Sequence, residues 1–224
     1  MNYFMYISYI ALLFCITMCV LHFLRLVKLG APKDLSEESG NVPAGVLYSN
    51  TVAMLPNHKE SAYMHLPTFT AGAMFHIGTF LALFCFVLLF FKAVWGFFFQ
   101  HELLSLLVAL YMWFSVCCGK GLIIKRVISK KLRPISNADD YISVSLTALF
   151  QFATALLFTT FAFHDFFSSE VPGWIIIVYF VVSTLLFFYL PFGKLKHAVY
   201  YFAARYHLGF FYGRRGTWPP KSKC

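Results

Sequence analysis

Five long apolar runs, separated by polar and basic stretches, dominate the chain. They cover roughly 3–26, 69–97, 101–119, 141–163 and 173–193. Each is close to or above the ~20 residues that a helix needs to cross about 30 Å of hydrocarbon. Lipid offers no partners to backbone N–H and C=O groups, so each run must be helical. The expected fold is an all-α membrane protein: a bundle of five transmembrane helices forming one membrane domain over residues 1–224, with a polar loop at 30–66 and a tail at 198–224. The first run, Asn2 to Val27, is too long for a signal-peptide core and lacks a basic start and a small-residue cleavage site, so it reads as a retained helix.

Polar residues mark some of the ends. Ser136 or Asn137 can cap the fourth run, with Asp139 and Asp140 in its first turn against the helix dipole. Pro172 can start the fifth, where a missing N–H costs nothing. Pro191 is expected to kink the fifth run, with helix continuing past His197. The 30–66 loop shows no period that predicts helix or strand, and reads equally as a connector or as a docking surface for a soluble partner.

Basic residues fix the expected orientation. Arg25, Lys28 and Lys33 follow the first run; Lys120, Lys125, Arg126, Lys130, Lys131 and Arg133 follow the third; Lys194, Lys196, Arg205, Arg214, Arg215, Lys221 and Lys223 follow the fifth. The second gap has little beyond Lys92, and the fourth holds only Asp165 and Glu170. Strict alternation of this kind predicts N-out, C-in, with the 30–66 loop and the tail in the cytoplasm.

Composition agrees. The chain has 224 residues, 60% hydrophobic and 12% charged, with 28 Phe, which exceeds what a soluble core of this length can hide. The net charge of +9 follows from the topology, so nucleic acid is not an expected partner. Of the six cysteines, Cys15, Cys19 and Cys85 read as small apolar side chains, while vicinal Cys117 and Cys118 are expected at a cytoplasmic helix end. Cys224 ends the chain without a prenylation box. No CxxCH motif is present, which excludes covalent c-type haem attachment. Phosphate loops, dinucleotide fingerprints, zinc helices and serine elbows are likewise missing from the sequence.

Ionisable residues inside spans are costly and usually functional. The chain has eight His and no acidic residue deep in a run. His76 and His197 fall, by the expected topology, in the cytoplasmic half of the bilayer. Two neutral imidazoles on neighbouring helices can take both axial positions of one haem iron. Gly72 lies four residues before His76 and Gly193 four before His197, so both His faces are small enough for a flat macrocycle. Lys194, Lys196, Arg205 or Arg25 are candidate propionate partners. The alternative is an ordinary hydrogen-bonded His76 and an interfacial His197. His101 and His164, at the outer run ends, are candidates for a second haem or for quinol proton exchange. His22 can face a propionate or a quinone, or simply sit at the interface. His58 and His65 read as solvated or partner-facing, and His207 lies in the basic tail.

Phe75-His-Ile-Gly78 resembles the second span of the gamma subunit of respiratory nitrate reductase. Arg133-Pro-Ile-Ser-Asn-Ala-Asp-Asp-Tyr141 resembles that family's entry to its fourth span, and Pro191-Phe-Gly-Lys-Leu-Lys-His197 the end of its fifth. Ala31-Pro-Lys-Asp-Leu-Ser36, Lys59-Glu-Ser61 and Tyr212-Gly-Arg-Arg-Gly-Thr-Trp-Pro-Pro220 look closer to a sister group, the cytochrome b subunits of membrane-bound heterodisulfide reductase and of Dsr- and Hme-type complexes. The resemblance implies a b haem, a quinone, a cytoplasmic iron–sulfur partner subunit of the heterodisulfide reductase type, and a prokaryotic cytoplasmic membrane.

The resemblance also shows a departure. The nitrate reductase subunit has another His ten residues after the first on its second span, and one eighteen residues before the last on its fifth. Here those places hold Phe86 and Tyr179, neither an ordinary b-haem ligand. The expectation is one haem on His76 and His197, with a second on His101 and His164 as the alternative. Competing functions are a haem-free membrane anchor, a small transporter, or a haem exporter or chaperone. Transporters usually show intramembrane acids, broken helices or repeats, and only Pro191 points that way.

Overall fold

The computed structural model describes residues 3–30, 34–58, 60–164 and 171–220, and these are helical with no strand among them. Lys33, Lys59, Asp165, Glu170, Lys221, Lys223 and Cys224 lie outside the described residues, as do residues 31–32 of the first loop motif. The helices are α1 (Tyr3–Leu29), α2 (Val42–Asn50), α3 (Glu60–Met64), α4 (Leu66–Leu88), α5 (Lys92–Gln100), α6 (Glu102–Ile128), α7 (Ala138–Ala162), α8 (Gly173–Tyr189) and α9 (His197–Arg214). Of these, α1, α4, α6 and α7 are each long and apolar enough to cross a membrane. The 17-residue α8 makes a fifth span when taken with the helix that follows its break.

Two of the expected runs change shape. The 69–97 run is one apolar stretch but two helices, with a turn at Leu89–Phe91. The Leu89 carbonyl, freed by the end of α4, accepts from the Trp95 indole at 2.8 Å and from the Tyr9 hydroxyl at 3.2 Å. The third run is longer than its apolar part. α6 continues to Ile128 and carries Lys125 and Arg126 in its last turn, where cations complement the helix dipole. Cys117 and Cys118 therefore lie inside α6 rather than at its end. Cys15 and Cys85 are buried, Cys19 is half-buried, and all three are free thiols.

The chain forms two compact units. The first comprises residues 1–15 and 70–194. Here α6 packs on α7 and α7 on α8. α4 joins through small residues: Gly119 lies against the Phe75 ring, and a Cβ at Gly78 would strike the Ser115 side chain. The core is aromatic. Phe86, Phe150, Phe158, Phe161, Tyr179, Phe180 and Phe187 are all 1% exposed or less.

α7 starts as expected. The Asn137 side chain accepts from the Asp140 N–H at 3.1 Å, and the Asp140 carboxylate accepts from the Asn137 N–H at 3.0 Å, a closed capping box. The same carboxylate pairs with Lys194 at 2.6 Å and Arg126 at 3.3 Å. Pro172 stands at the N-cap of α8, and that helix ends at Tyr189, just before Pro191.

The second unit comprises residues 16–69 and 195–224. It contains the largest departure from expectation: the 30–66 loop is folded. Asn41 caps α2 by accepting from the Ala44 N–H at 2.9 Å, and Pro43 sits in the first turn. α2 lies directly on α9 through glycine. A Cβ on Gly45 would come within 2.5 Å of the Gly213 Cα, and one on Gly209 within 2.5 Å of the Val46 Cα. Ser49 donates to the Arg205 carbonyl at 2.7 Å, and the Arg205 Nε–H donates to the Ser49 carbonyl at 2.8 Å. Beyond α9, Arg214 donates to the Ser36 carbonyl at 2.7 Å and Arg215 pairs with Asp34 at 2.8 Å.

Candidate functional site

His76 lies ten residues into α4, far from either end of a span, with its imidazole exposed. Its Nδ1 is 2.8 Å from the carbonyl oxygen of Gly72, one turn back. A carbonyl oxygen only accepts, so Nδ1 donates this bond, and in the neutral ring Nε2 then carries the lone pair. That is the tautomer, and the orienting second contact, that an axial imidazole ligand requires. A Cβ placed on Gly72 would meet nothing within 4 Å, so the helix surface beside the ring is open to a flat ligand. On this side the donor chemistry fits a haem.

His197 is the first residue of α9 and is exposed. His76 belongs to the first unit and His197 to the second. Gly193 differs from Gly72. The space beside it is filled by the Tyr189 ring, whose hydroxyl donates to the Asp139 carboxylate. The small residue at 193 thus accommodates the chain's own side chain. Two of the four cations proposed for propionates also have protein partners: Lys194 pairs with Asp140, and Arg205 binds the Ser49 carbonyl, with its guanidinium 5.9 Å from the Trp218 ring centre.

The remaining histidines are distributed as follows. His101 stands at the N-cap position of α6 without a side-chain capping bond, stacks on Phe97 at 4.2 Å, and its Nδ1 donates to the Phe97 carbonyl at 3.0 Å. His164, just past α7, has its Nδ1 3.6 Å from the Glu102 carboxylate and its ring 5.7 Å from Phe99. His22 is half-buried, 6.2 Å from the Tyr200 ring. His58 lies 6.2 Å from Tyr48. Among the described residues no three His, Cys, Asp or Glu side chains cluster as a metal site.

Phe86 of α4 and Tyr179 of α8, the positions where the resembling family has its second ligand pair, do come together. Their ring centroids are 6.0 Å apart, inside the aromatic core. A feature not anticipated from sequence lies two to three turns back along α4, at Thr79 and Phe75. Gln151 of α7, fully buried, donates to the Phe75 carbonyl at 2.9 Å and to the Thr79 hydroxyl at 2.8 Å, and accepts from Ser115 at 2.8 Å. A lone Gln in an apolar run was its only signal.

Outside the spans, a further paired charge is Asp34. The Arg215 guanidinium, with the Ser36 hydroxyl and N–H, holds its carboxyl well below the usual carboxylate range. No family profile, curated protein or solved structure matches the chain.

Proposed function

We propose that the chain is a b-type cytochrome anchor with five spans, N-out and C-in, in a prokaryotic cytoplasmic membrane. It passes electrons between a membrane quinone and a cytoplasmic iron–sulfur partner subunit of the heterodisulfide reductase type. The observation that carries this reading is the His76 imidazole: a polar ring exposed midway along an apolar span, with Nδ1 tied to the Gly72 carbonyl. His76 and His197 are the residues that would hold the haem iron. A bound b haem supplies one-electron transfer, while the protein sets ligand orientation and surroundings. Gly72 keeps the His76 face clear.

The packing of Phe86 and Tyr179 supports one haem rather than two, since protein rings fill the ground between α4 and α8. The folded 34–58 segment, held to α9, supports a shaped docking face for the soluble partner in place of a slack connector. Quinone exchange then belongs on the same side of the bilayer as His76 and His197. His101 and His164 are the alternative ligand pair.

A second reading, a haem-free anchor, is favoured by the engagement of Lys194 and Arg205 within the protein. A reduced-minus-oxidised visible spectrum of the purified full chain, with haem quantified per chain, separates the two. The cytochrome reading expects a b-type α band and one haem, lost in His76→Ala and in His197→Ala. Absence of the band, or haem retained in both variants, overturns it. Two haems per chain would move the outer assignment to His101 and His164.

A further inference from the structure

The fully buried Gln151 uses its whole amide. Its NH2 donates to the Phe75 carbonyl and to the Thr79 hydroxyl, and its oxygen accepts from Ser115. Thr79 also donates to the Phe75 carbonyl, at 2.8 Å. Ser115 further approaches the Met74 carbonyl at 3.3 Å, as does Tyr111. The two backbone carbonyls bound in this way belong to the two residues immediately before His76.

Small side chains make the approach possible. Gly78 leaves the room that Ser115 occupies, and Gly119 the room for the Phe75 ring. On α4, residues 75, 78, 82, 85 and 86 are buried while 76, 77 and 80 are exposed. The amide therefore grips the buried side of the helix at the level where His76 leaves from the other. Apolar contacts are non-directional and hold a helix only through the fit of their shapes. A directional amide with three partners in a dry interior also resists rotation, because turning the helix strands buried donors and acceptors.

We infer that Gln151 is a positioning residue for His76, fixing the rotation of α4 about its axis and so the direction in which the imidazole leaves the helix. This rests on the haem-ligand reading of His76 given above. Gln151 itself touches neither imidazole nor cofactor.

The test is a graded series in the purified full chain: Gln151→Met, which keeps length and removes all three bonds, against Thr79→Val and Ser115→Ala, which remove fewer. In the haem-loaded protein the readouts are the low-spin electron paramagnetic resonance g values, which report imidazole orientation, and the midpoint potential. Gln151→Met is expected to shift both, with smaller shifts for the other two and none for Thr184→Val, whose hydroxyl bonds only within α8. Unchanged g values and potential in a haem-loaded Gln151→Met protein would overturn the inference while leaving the cytochrome reading intact. If the wild type binds no haem, that reading fails by itself. The inference is then decided by the ¹⁵N spectrum of His76 in the haem-free protein, which Gln151→Met must shift and Thr184→Val must not. Should Gln151→Met fail to fold, Gln151→Asn and Thr79→Val carry the same two measurements, and no shift in either overturns the inference.

Discussion

The rings of Phe86 and Tyr179 meet with centroids 6.0 Å apart and planes inclined by 37°, the first 1% exposed and the second not at all. Phe187 lies edge-on to Phe86 at 4.8 Å, and Phe150 lies 6.2 Å from Tyr179. This contact welds α4, α7 and α8 together. Phe86→Ala should therefore cost about 3–5 kcal/mol, the usual range for a fully buried Phe. Thermal unfolding in detergent checks the loss of stability. Haem per chain in the surviving folded fraction should stay at the wild-type value, since position 86 holds no ligand.

The glycine contact between α2 and α9 gives a second expectation. Gly45→Ala or Gly213→Ala forces two backbones apart and should destabilise the second unit by about 1–3 kcal/mol, as overpacking does. Faster proteolysis within residues 34–58 is the measurement. Gly121→Ala is the control: a Cβ there meets nothing within 4 Å, so the change should be neutral or stabilising by up to about 1 kcal/mol.

The Asp34–Arg215 pair sets a pH dependence. Its carboxyl titrates lower in the folded protein than in the unfolded chain, where Asp sits near about 3.9. The contribution of the pair is then present above that unfolded value and lost as pH falls below it. Protection of the 34–41 segment from proteolysis, with an acid-tolerant protease, should be flat from about pH 5 to 8 and fall below about pH 4. In Asp34→Asn that acid dependence should be weaker.

Asp140 closes the α7 capping box and faces Lys194 and Arg126. Asp140→Ala should cost about 1–2 kcal/mol, chiefly through the lost cap. Asn137→Ala should give a loss of similar size. A melting shift much smaller in both variants than in Gly45→Ala would show that the cap is idle.

The parts of the fold governed by neighbours in sequence were legible. Asn137 with Asp140 and Pro172 mark helix starts by local chemistry alone, and the structure puts starts there; at Pro191, where only a kink was expected, one helix stops at Tyr189 and another begins at His197. The break after Leu88 was not legible, because no Gly or Pro marks it. It is held by Trp95 and Tyr9 reaching one carbonyl, and Tyr9 is eighty residues away. α2 carried a readable signal in Asn41 and Pro43, but nine residues of weak period gave no face. Gly209 and Gly213 stand four residues apart on α9, but their partner glycine, Gly45, lies far off in the loop. For the site, the i−4 carbonyl that orients His76 follows from Gly72. The grip of Gln151 on the carbonyl of Phe75 does not, because it joins residues 76 positions apart.

Where α2 and α9 touch at Gly45, Gly209 and Gly213, backbone meets backbone, with the Ser49 and Arg205 side chains bonding alongside. Side chains are the compliant layer of a protein interface, able to change rotamer and absorb a displacement. Where that layer is thin the joint has little room to give, so a displacement of α2 meets the α9 backbone directly. His197 is the first residue of that helix, so the imidazole stands at the end of a rod whose other surface is the folded loop.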